Sequence, residues 1–328
     1  MTLLYVVIAF VLIFDFLNGF HDSANSIATV VSTKVLSPFT AVAMAAFFNF
    51  IAFTVFPLKV ATTIGKGVVN PDVINLTVIA AALVAAITWN ILTWWWGLPS
   101  SSSHTLVGGL VGASIAYSGV GSVVIAGVVK IVAFIVVAPL LGMTLSFIVS
   151  SIVVIICRKL TPFKVDKIFR KLQIVSSATL SLGHGGNDAQ KSMGIIWAAL
   201  IVTGHTTKNE TIALWIILSC QTAIALGTLF GGWRIVKTMG QKITKLKPFE
   251  GFSSDISGAM TLFGATHFGI PVSTTHTITG AIIGVGSRKG VSAVKWGVTK
   301  KIFWAWILTI PISAAIGASM CYLLKWIL

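Results

Sequence analysis

Residues 98–109 read LPSSSSHTLVGG, and residues 270–281 read IPVSTTHTITGA. Each is a proline, a cluster of hydroxyls, a His-Thr pair and then small residues, set in a chain that is otherwise mostly apolar. Aligning the two gives an offset of 172 residues, which also pairs Asn49 with Gln221 and Pro139 with Pro311. A second alignment lays GFHDSANS (19–26) on GGNDAQKS (185–192). It pairs Gly19 with Gly185, Asp22 with Asp188 and Ser26 with Ser192 at an offset of 166. One difference in loop length reconciles the offsets. The chain therefore reads as two homologous halves, 1–157 and 172–328, joined by a basic cytoplasmic linker at 158–171.

Composition says where these halves reside. Of 328 residues, 56% are hydrophobic and 9% charged, with a mean hydropathy of +0.96. A soluble domain carries about 25% charged residues, so the chain is an integral membrane protein. Apolar runs recur near 2–17, 39–58, 73–93, 121–157, 211–231 and 302–328. The longer ones approach the ~20 residues a helix needs to cross the hydrocarbon core. β-alternation is absent, which makes the fold all-α. The first run lacks a basic leader and a small-residue cleavage site, so it reads as a retained helix. Cys157, Cys220 and Cys321 sit in apolar segments without metal-ligand spacing and read as small hydrophobes. No structural metal is expected.

Orientation follows from counting crossings. Each half accommodates three crossings and one re-entrant hairpin. In the first half these are 2–33, 39–58 and 121–157, with a hairpin at 73–118. In the second they are 173–202, 211–231 and 297–328, with a hairpin at 251–286. An odd number of crossings makes the halves inverted repeats. With both termini outside, the inner side receives Lys34, the six basic residues of 158–171, the five of 232–250, and Arg288, Lys289, Lys295, Lys300 and Lys301. The outer loops receive only Lys59, Lys66 and Lys208. This is the positive-inside pattern, and it accounts for the formal charge of +15 without nucleic acid. Inverted repeats with interrupted helices mark secondary transporters. The run at 121–157 is long for one crossing: either Pro139 kinks it or it forms two spans.

The polar motifs carry the chemistry. The first helix stays apolar to Phe16 and then reads LNGFHDSANS, which places a carboxylate where it costs about 2.5–3.5 kcal/mol. LGHGGNDAQKS repeats the pattern, with Gly183, Gly185 and Gly186 expected to break the helix and free carbonyls for a cation. Two symmetric copies favour a functional site over a structural polar patch. Asp22 and Asp188 are the main candidates. Asn18, Asn25, Asn187 and His21 lie beside them, with Asn187 standing where His21 stands in the first copy. The Pro-hydroxyl stretches read as hairpin tips leading into half-helices. A half-helix that starts inside the membrane aims its free N–H groups and positive dipole end at the tip, which suits an anion. Ser101, Ser102, Ser103, Ser273, Thr274 and Thr275 add hydroxyls for an oxyanion. Lys191, His104, His276, Asn49 and Gln221 are secondary candidates, and a hydrogen bond to the opposite half is the expected role of the two histidines.

Charge decides what such a pocket holds. Two ionised aspartates and a dianion are untenable in low dielectric without compensation. Lys191 supplies one positive charge, so co-bound Na⁺ or H⁺ must supply the rest. Protonated phosphate can also donate to an aspartate, whereas sulfate cannot.

The paired signatures NGFHDSANSIATVVSTK and GHGGNDAQKSMGI, with the two P-x-S-[ST]-[ST]-H-T elements, resemble the inorganic phosphate transporter (PiT) family over essentially the whole chain. The resemblance implies phosphate:cation symport across the cytoplasmic membrane, between the broken helices and hairpin tips, in a homodimer. It implies Asp22, Asn25 and Asp188 as substrate and ion residues, and the Ser101–Ser103 and Ser273–Thr275 hydroxyls as phosphate ligands. Gly19-Phe20-His21-Asp22 stands where sodium-coupled members read G-A-N-D. The form resembles bacterial proton-coupled low-affinity carriers, which take phosphate as a neutral divalent-metal complex. This favours H⁺ over Na⁺. Alternatives are a sulfate permease of the same family, an anion channel or an intramembrane hydrolase. Duplication argues against the hydrolase, because catalysis needs one asymmetric nucleophile.

Overall fold

The computed structural model describes residues 2–61, 67–207 and 210–327; Lys66 and Lys208 of the charge count lie outside them. The helices are α1 (Thr2–Ser32), α2 (Pro38–Ile51), α3 (Leu76–Trp96), α4 (Ser102–Ser118), α5 (Ile125–Cys157), α6 (Pro162–Val202), α7 (Leu214–Phe230), α8 (Trp233–Lys237), α9 (Pro248–His267), α10 (Thr274–Arg288) and α11 (Trp296–Ile327). Four of them, α1, α3, α5 and α11, are long and apolar enough to cross a membrane. Their outward faces are apolar: Val129, Val136, Leu140, Ile148 and Ile155 on α5, and Trp304, Ile307 and Trp326 on α11, are exposed.

Local chemistry sets the boundaries. Ser37, Asn75 and Thr161 cap α2, α3 and α6 by accepting from backbone N–H groups in the first turn, and Pro38 and Pro162 occupy the first helical positions. The two polar stretches fold alike. Gly97 (φ 65°) ends α3 in the left-handed conformation, Leu98-Pro99 turns the chain, and Ser101 caps α4 by accepting from the His104 N–H. Gly269 (φ 67°) follows α9, Ile270-Pro271 turns the chain, and Ser273 caps α10 by accepting from the His276 N–H. A side chain at either glycine would strain the turn.

Packing pairs match across the halves. α1 packs on α3 as α6 packs on α9, and α3 on α4 as α9 on α10. The crossed pairs match too: α4 packs on α11 and α10 on α5, while α1 packs on α7 and α6 on α2. Small residues make the crossed pairs close. A Cβ on Gly112 would lie 1.8 Å from the Ala314 carbonyl oxygen, and one on Gly284 would lie 2.2 Å from the Met143 carbonyl oxygen. Neighbouring backbones thus occupy the space a side chain would need.

Several expectations need correction. α1 and α6 run as continuous helices through 19–26 and 183–192, so neither is broken. The glycines there serve close approach instead. A Cβ on Gly19 would lie 2.0 Å from the Ile224 carbonyl oxygen, one on Gly185 2.5 Å from that of Asn49, and one on Gly186 2.1 Å from the Phe56 ring. The linker is largely helix, because Thr161 and Pro162 start α6 ten residues early. The runs at 39–58 and 211–231 give helices of 14 and 17 residues. α7 is bent by 60° from the α8 segment that follows it. The long run after 121 is one helix with Pro139 inside it.

Two apolar cores result. One gathers the start of α1, α3, α4, the end of α6 and α7; the other gathers the end of α1, α2, α8, α9 and α10. The polar motifs lie between them.

Candidate functional site

That polar layer brings most of the candidate residues together. Asp22 on α1 and Asp188 on α6 are both buried. The Thr274 hydroxyl, at the tip before α10, sits 3.5 Å from Asp22 Oδ2 and 3.4 Å from Asp188 Oδ2. Asn25 Nδ2 donates to Thr274 Oγ1 at 3.1 Å and to Thr275 Oγ1 at 3.0 Å. At the other tip, Ser102 Oγ donates to Asn18 Oδ1 at 2.7 Å and lies 3.4 Å from Asp22 Oδ2. The second tip thus meets both carboxylates, and the first meets Asp22. Ser101 and Ser273 face their own helices as caps, which leaves Ser102, Ser103, Thr274 and Thr275 to face the centre.

Each carboxylate has its own basic neighbour. Lys191 Nζ donates to Asp188 Oδ1 at 2.6 Å and to the Val272 carbonyl at 3.3 Å, and it hydrogen-bonds Ser103 Oγ. This lysine therefore ties α6 to both tips. His21 Nδ1 lies 2.7 Å from Asp22 Oδ1, while its Nε2 lies 3.2 Å from Thr93 Oγ1 and 3.4 Å from Ser100 Oγ. Asn187 satisfies its neighbours with its oxygen accepting from Thr266 Oγ1 at 3.0 Å and its nitrogen donating to the Val272 carbonyl at 3.2 Å and Asp188 Oδ1 at 3.3 Å. It braces the second carboxylate.

A cation can be held here. Ligand atoms of Asp22, His184 and Asp188 all lie within 4.8 Å of one another. His184 Nδ1 is 3.2 Å from Asn49 Oδ1, an acceptor, which places the ring proton on Nδ1 and leaves the Nε2 lone pair beside Asp188 Oδ2 at 3.5 Å. Asn49 is held in turn by donating to Thr228 Oγ1 at 2.9 Å. His184, like His21, lies within a step of its aspartate motif in the sequence, and its place four residues before Asp188 puts both on the same helix face. Two buried groups beside the centre have no hydrogen-bond partner among the described residues: Asn18 Nδ2, a donor, and Asn25 Oδ1, an acceptor. Both charges of an ion pair would find a group to meet.

Other candidates fall outside the cluster. His104 and His276 meet ring to ring, with centroids 4.8 Å apart, and His276 stacks on Trp306 at 3.9 Å. The expected link between halves is therefore a ring contact behind the tips. Gln221 is buried on α7, and no described donor reaches its Oε1.

Two carboxylates escaped the sequence reading. Asp15 is fully buried, with both oxygens lacking a hydrogen-bond partner among the described residues. It lies two helical turns before Asp22, and the signal for it was a lone acid in an apolar run. Asp255 on α9 is equally buried and accepts from Thr29 Oγ1 at 2.6 Å.

Comparison with known proteins gives this geometry a context. The profile of the "Phosphate transporter family" matches residues 18–317. A "Probable low-affinity inorganic phosphate transporter" of Rhizobium meliloti is 57% identical over 320 residues, covering 98% of this chain and 96% of its own. A protein of the same description from Bacillus subtilis is 46% identical over 330 residues, covering 100% and 98%. A solved structure titled "The sodium-dependent phosphate transporter" superposes with a TM-score of 0.88 at 29% identity, covering 100% of both chains. These are transporters and not enzymes, which removes the hydrolase. With its profile match spanning both aspartate motifs and both hairpin tips, the chain belongs to the phosphate transporter family.

Proposed function

We propose that this chain carries inorganic phosphate across the cytoplasmic membrane in symport with a cation, by alternating access, and that the cation is H⁺. The observation that carries the reading is the convergence of the tips on the aspartates: the Thr274 hydroxyl sits within 3.5 Å of carboxylates on α1 and α6, and Ser102 of the other tip lies 3.4 Å from Asp22. Hydroxyls, half-helix N-termini and Lys191 suit an oxyanion. The two carboxylates exclude that anion unless a cation accompanies it. Coupling is thus a condition of occupancy.

The proton is favoured by His21. Its Nδ1 faces Asp22, and its Nε2 faces Thr93 Oγ1, whose own proton goes to the Trp89 carbonyl at 2.9 Å. Both ring nitrogens therefore have acceptors in reach, and the ring has places for two protons. The Asp22–His184–Asp188 cluster would receive the divalent cation of a metal–phosphate complex.

The halves are proposed to be inverted repeats, 1–157 and 172–328, with α3–α4 and α9–α10 as re-entrant hairpins. The matched packing pairs and the shared Gly-x-Pro-x-Ser turn support this, and the distribution of Lys and Arg favours termini outside. Alternating access would rock the tips and α1–α6 against α5 and α11.

The test is uptake of radiolabelled phosphate into proteoliposomes under an imposed pH gradient or an imposed Na⁺ gradient, with and without Mg²⁺. Uptake driven by the pH gradient is expected, and Asp22→Asn and Asp188→Asn should each abolish or uncouple it while leaving the fold intact. Wild-type uptake by both variants would overturn the site, and uptake driven only by Na⁺ would overturn the proton.

A further inference from the structure

A cavity of about 140 Å³ lies against the tip of α4, lined by Ser103, His104, Lys130, Lys191, Ile270 and Pro271 among others. Its walls are otherwise apolar, and no carboxylate lines it among the described residues. Lys191 forms one wall, shared with the central site. Lys130, on the second turn of α5, is exposed and makes no ion pair with any described residue. His104 is 3% exposed, and its Nδ1 lacks a hydrogen-bond partner among the described residues. Val68, which lines the cavity, belongs to a backbone pairing between 68–70 and 122–124. Asn70 N–H donates to the Ser122 carbonyl at 2.8 Å, Val124 N–H donates to the Val68 carbonyl at 3.0 Å, and Val69 bridges Val123.

The geometry points to this cavity as a vestibular anion site: phosphate on its way to the central site rests against Lys130 and His104, with Ser103 and Lys191 forming the inner wall. The inference rests on the function and orientation proposed above, which put the 68–70/122–124 pairing on the outer side. Among the described residues Lys130 is the unpaired charge of this apolar wall, because the Lys191 ammonium is already held by Asp188 at 2.6 Å, and field lines concentrate in low dielectric. The volume suits one oxyanion with a few waters. Lys130 is then a capture residue that acts on the approach and not on the coupled step.

Initial rates of radiolabelled phosphate uptake into right-side-out vesicles test this. Lys130→Gln should raise KM about tenfold, the size of effect electrostatic focusing gives, with the maximal rate within about twofold; Lys130→Arg should restore KM. A Lys130→Cys variant should show the same raised KM. Treatment from outside with 2-aminoethyl methanethiosulfonate, which restores a positive charge, should lower it again, while the sulfonatoethyl reagent should raise it further. The unsubstituted chain, with Cys157, Cys220 and Cys321, serves as the control for labelling. An unchanged KM in Lys130→Gln, with normal uptake by the unsubstituted chain, overturns the vestibular site alone. Absence of phosphate uptake by the unsubstituted chain overturns the proposed function itself.

Discussion

Replacing Lys191 with Met isolates the strongest electrostatic contact in the site. The ammonium lies 2.6 Å from Asp188 Oδ1, and both side chains are about 1% exposed. Lys191 also donates to the Val272 carbonyl at 3.3 Å and hydrogen-bonds Ser103, so the variant strands an anion, a carbonyl and a hydroxyl. Removing one member of a buried ion pair costs about 3–5 kcal/mol, because the remaining charge keeps its desolvation penalty without its partner. Replacing both members relieves most of that cost. Lys191→Met alone should therefore lose about 3–5 kcal/mol, and Lys191→Met/Asp188→Asn should recover at least about half of it. The assay is reversible unfolding in mixed micelles titrated with dodecyl sulfate, followed by tryptophan fluorescence, in a complete double-mutant cycle. A coupling energy below about 0.5 kcal/mol would refute a direct buried pair. Phosphate uptake should be lost in both variants, since each lacks the cation for the anion.

Other perturbations follow from particular contacts. Gly112→Ala should destabilise by about 3 kcal/mol, since its Cβ would lie 1.8 Å from the Ala314 carbonyl oxygen, while Gly121→Ala, with nothing within 4 Å of its Cβ, should be near neutral; equal folded yields of the two would contradict the α4–α11 packing. Asp15→Asn should cost less than about 1 kcal/mol, because the amide keeps the shape and an acceptor oxygen for the neighbouring Ser192 and Asn18; the same dodecyl sulfate titration reads this. His21→Asn should weaken uptake driven by a pH gradient more than it weakens binding of phosphate, measured by calorimetry at fixed pH. His184→Ala should reduce stimulation of uptake by Mg²⁺ if His184 Nε2 completes the cation cluster, and an unchanged Mg²⁺ response would remove it from the site.

Much of the site was readable because burying polarity in a membrane is expensive. Asp22 and Asp188 announced themselves as carboxylates in apolar runs, and the duplicated tips announced themselves as hydroxyl clusters after proline. Asp15 carried the same signal but belonged to no repeat, and so it was passed over. The expectation of broken helices failed for a definable reason. Glycine has two uses, to free the backbone or to admit a neighbour, and sequence does not distinguish them. At Gly19 and Gly185 the carbonyls of Ile224 and Asn49 occupy the place of the missing Cβ. The linker misled in the same manner, since a run of basic residues reads as loop whether or not Thr161 and Pro162 start a helix there.

The sequence by itself determined the membrane class and the likeness of each polar motif to its second copy. These follow from hydropathy, charge placement and internal repetition, which are properties of neighbours along the chain. Which donor meets which acceptor belonged to the tertiary structure. Asn25 finds its partners on Thr274 and Thr275 at separations of 249 and 250 residues, and Lys191 reaches Ser103 across 88. No local pattern encodes those meetings. They exist because α1 and α6 pass between two apolar cores and bring Asp22 to both tips and Asp188 to the second.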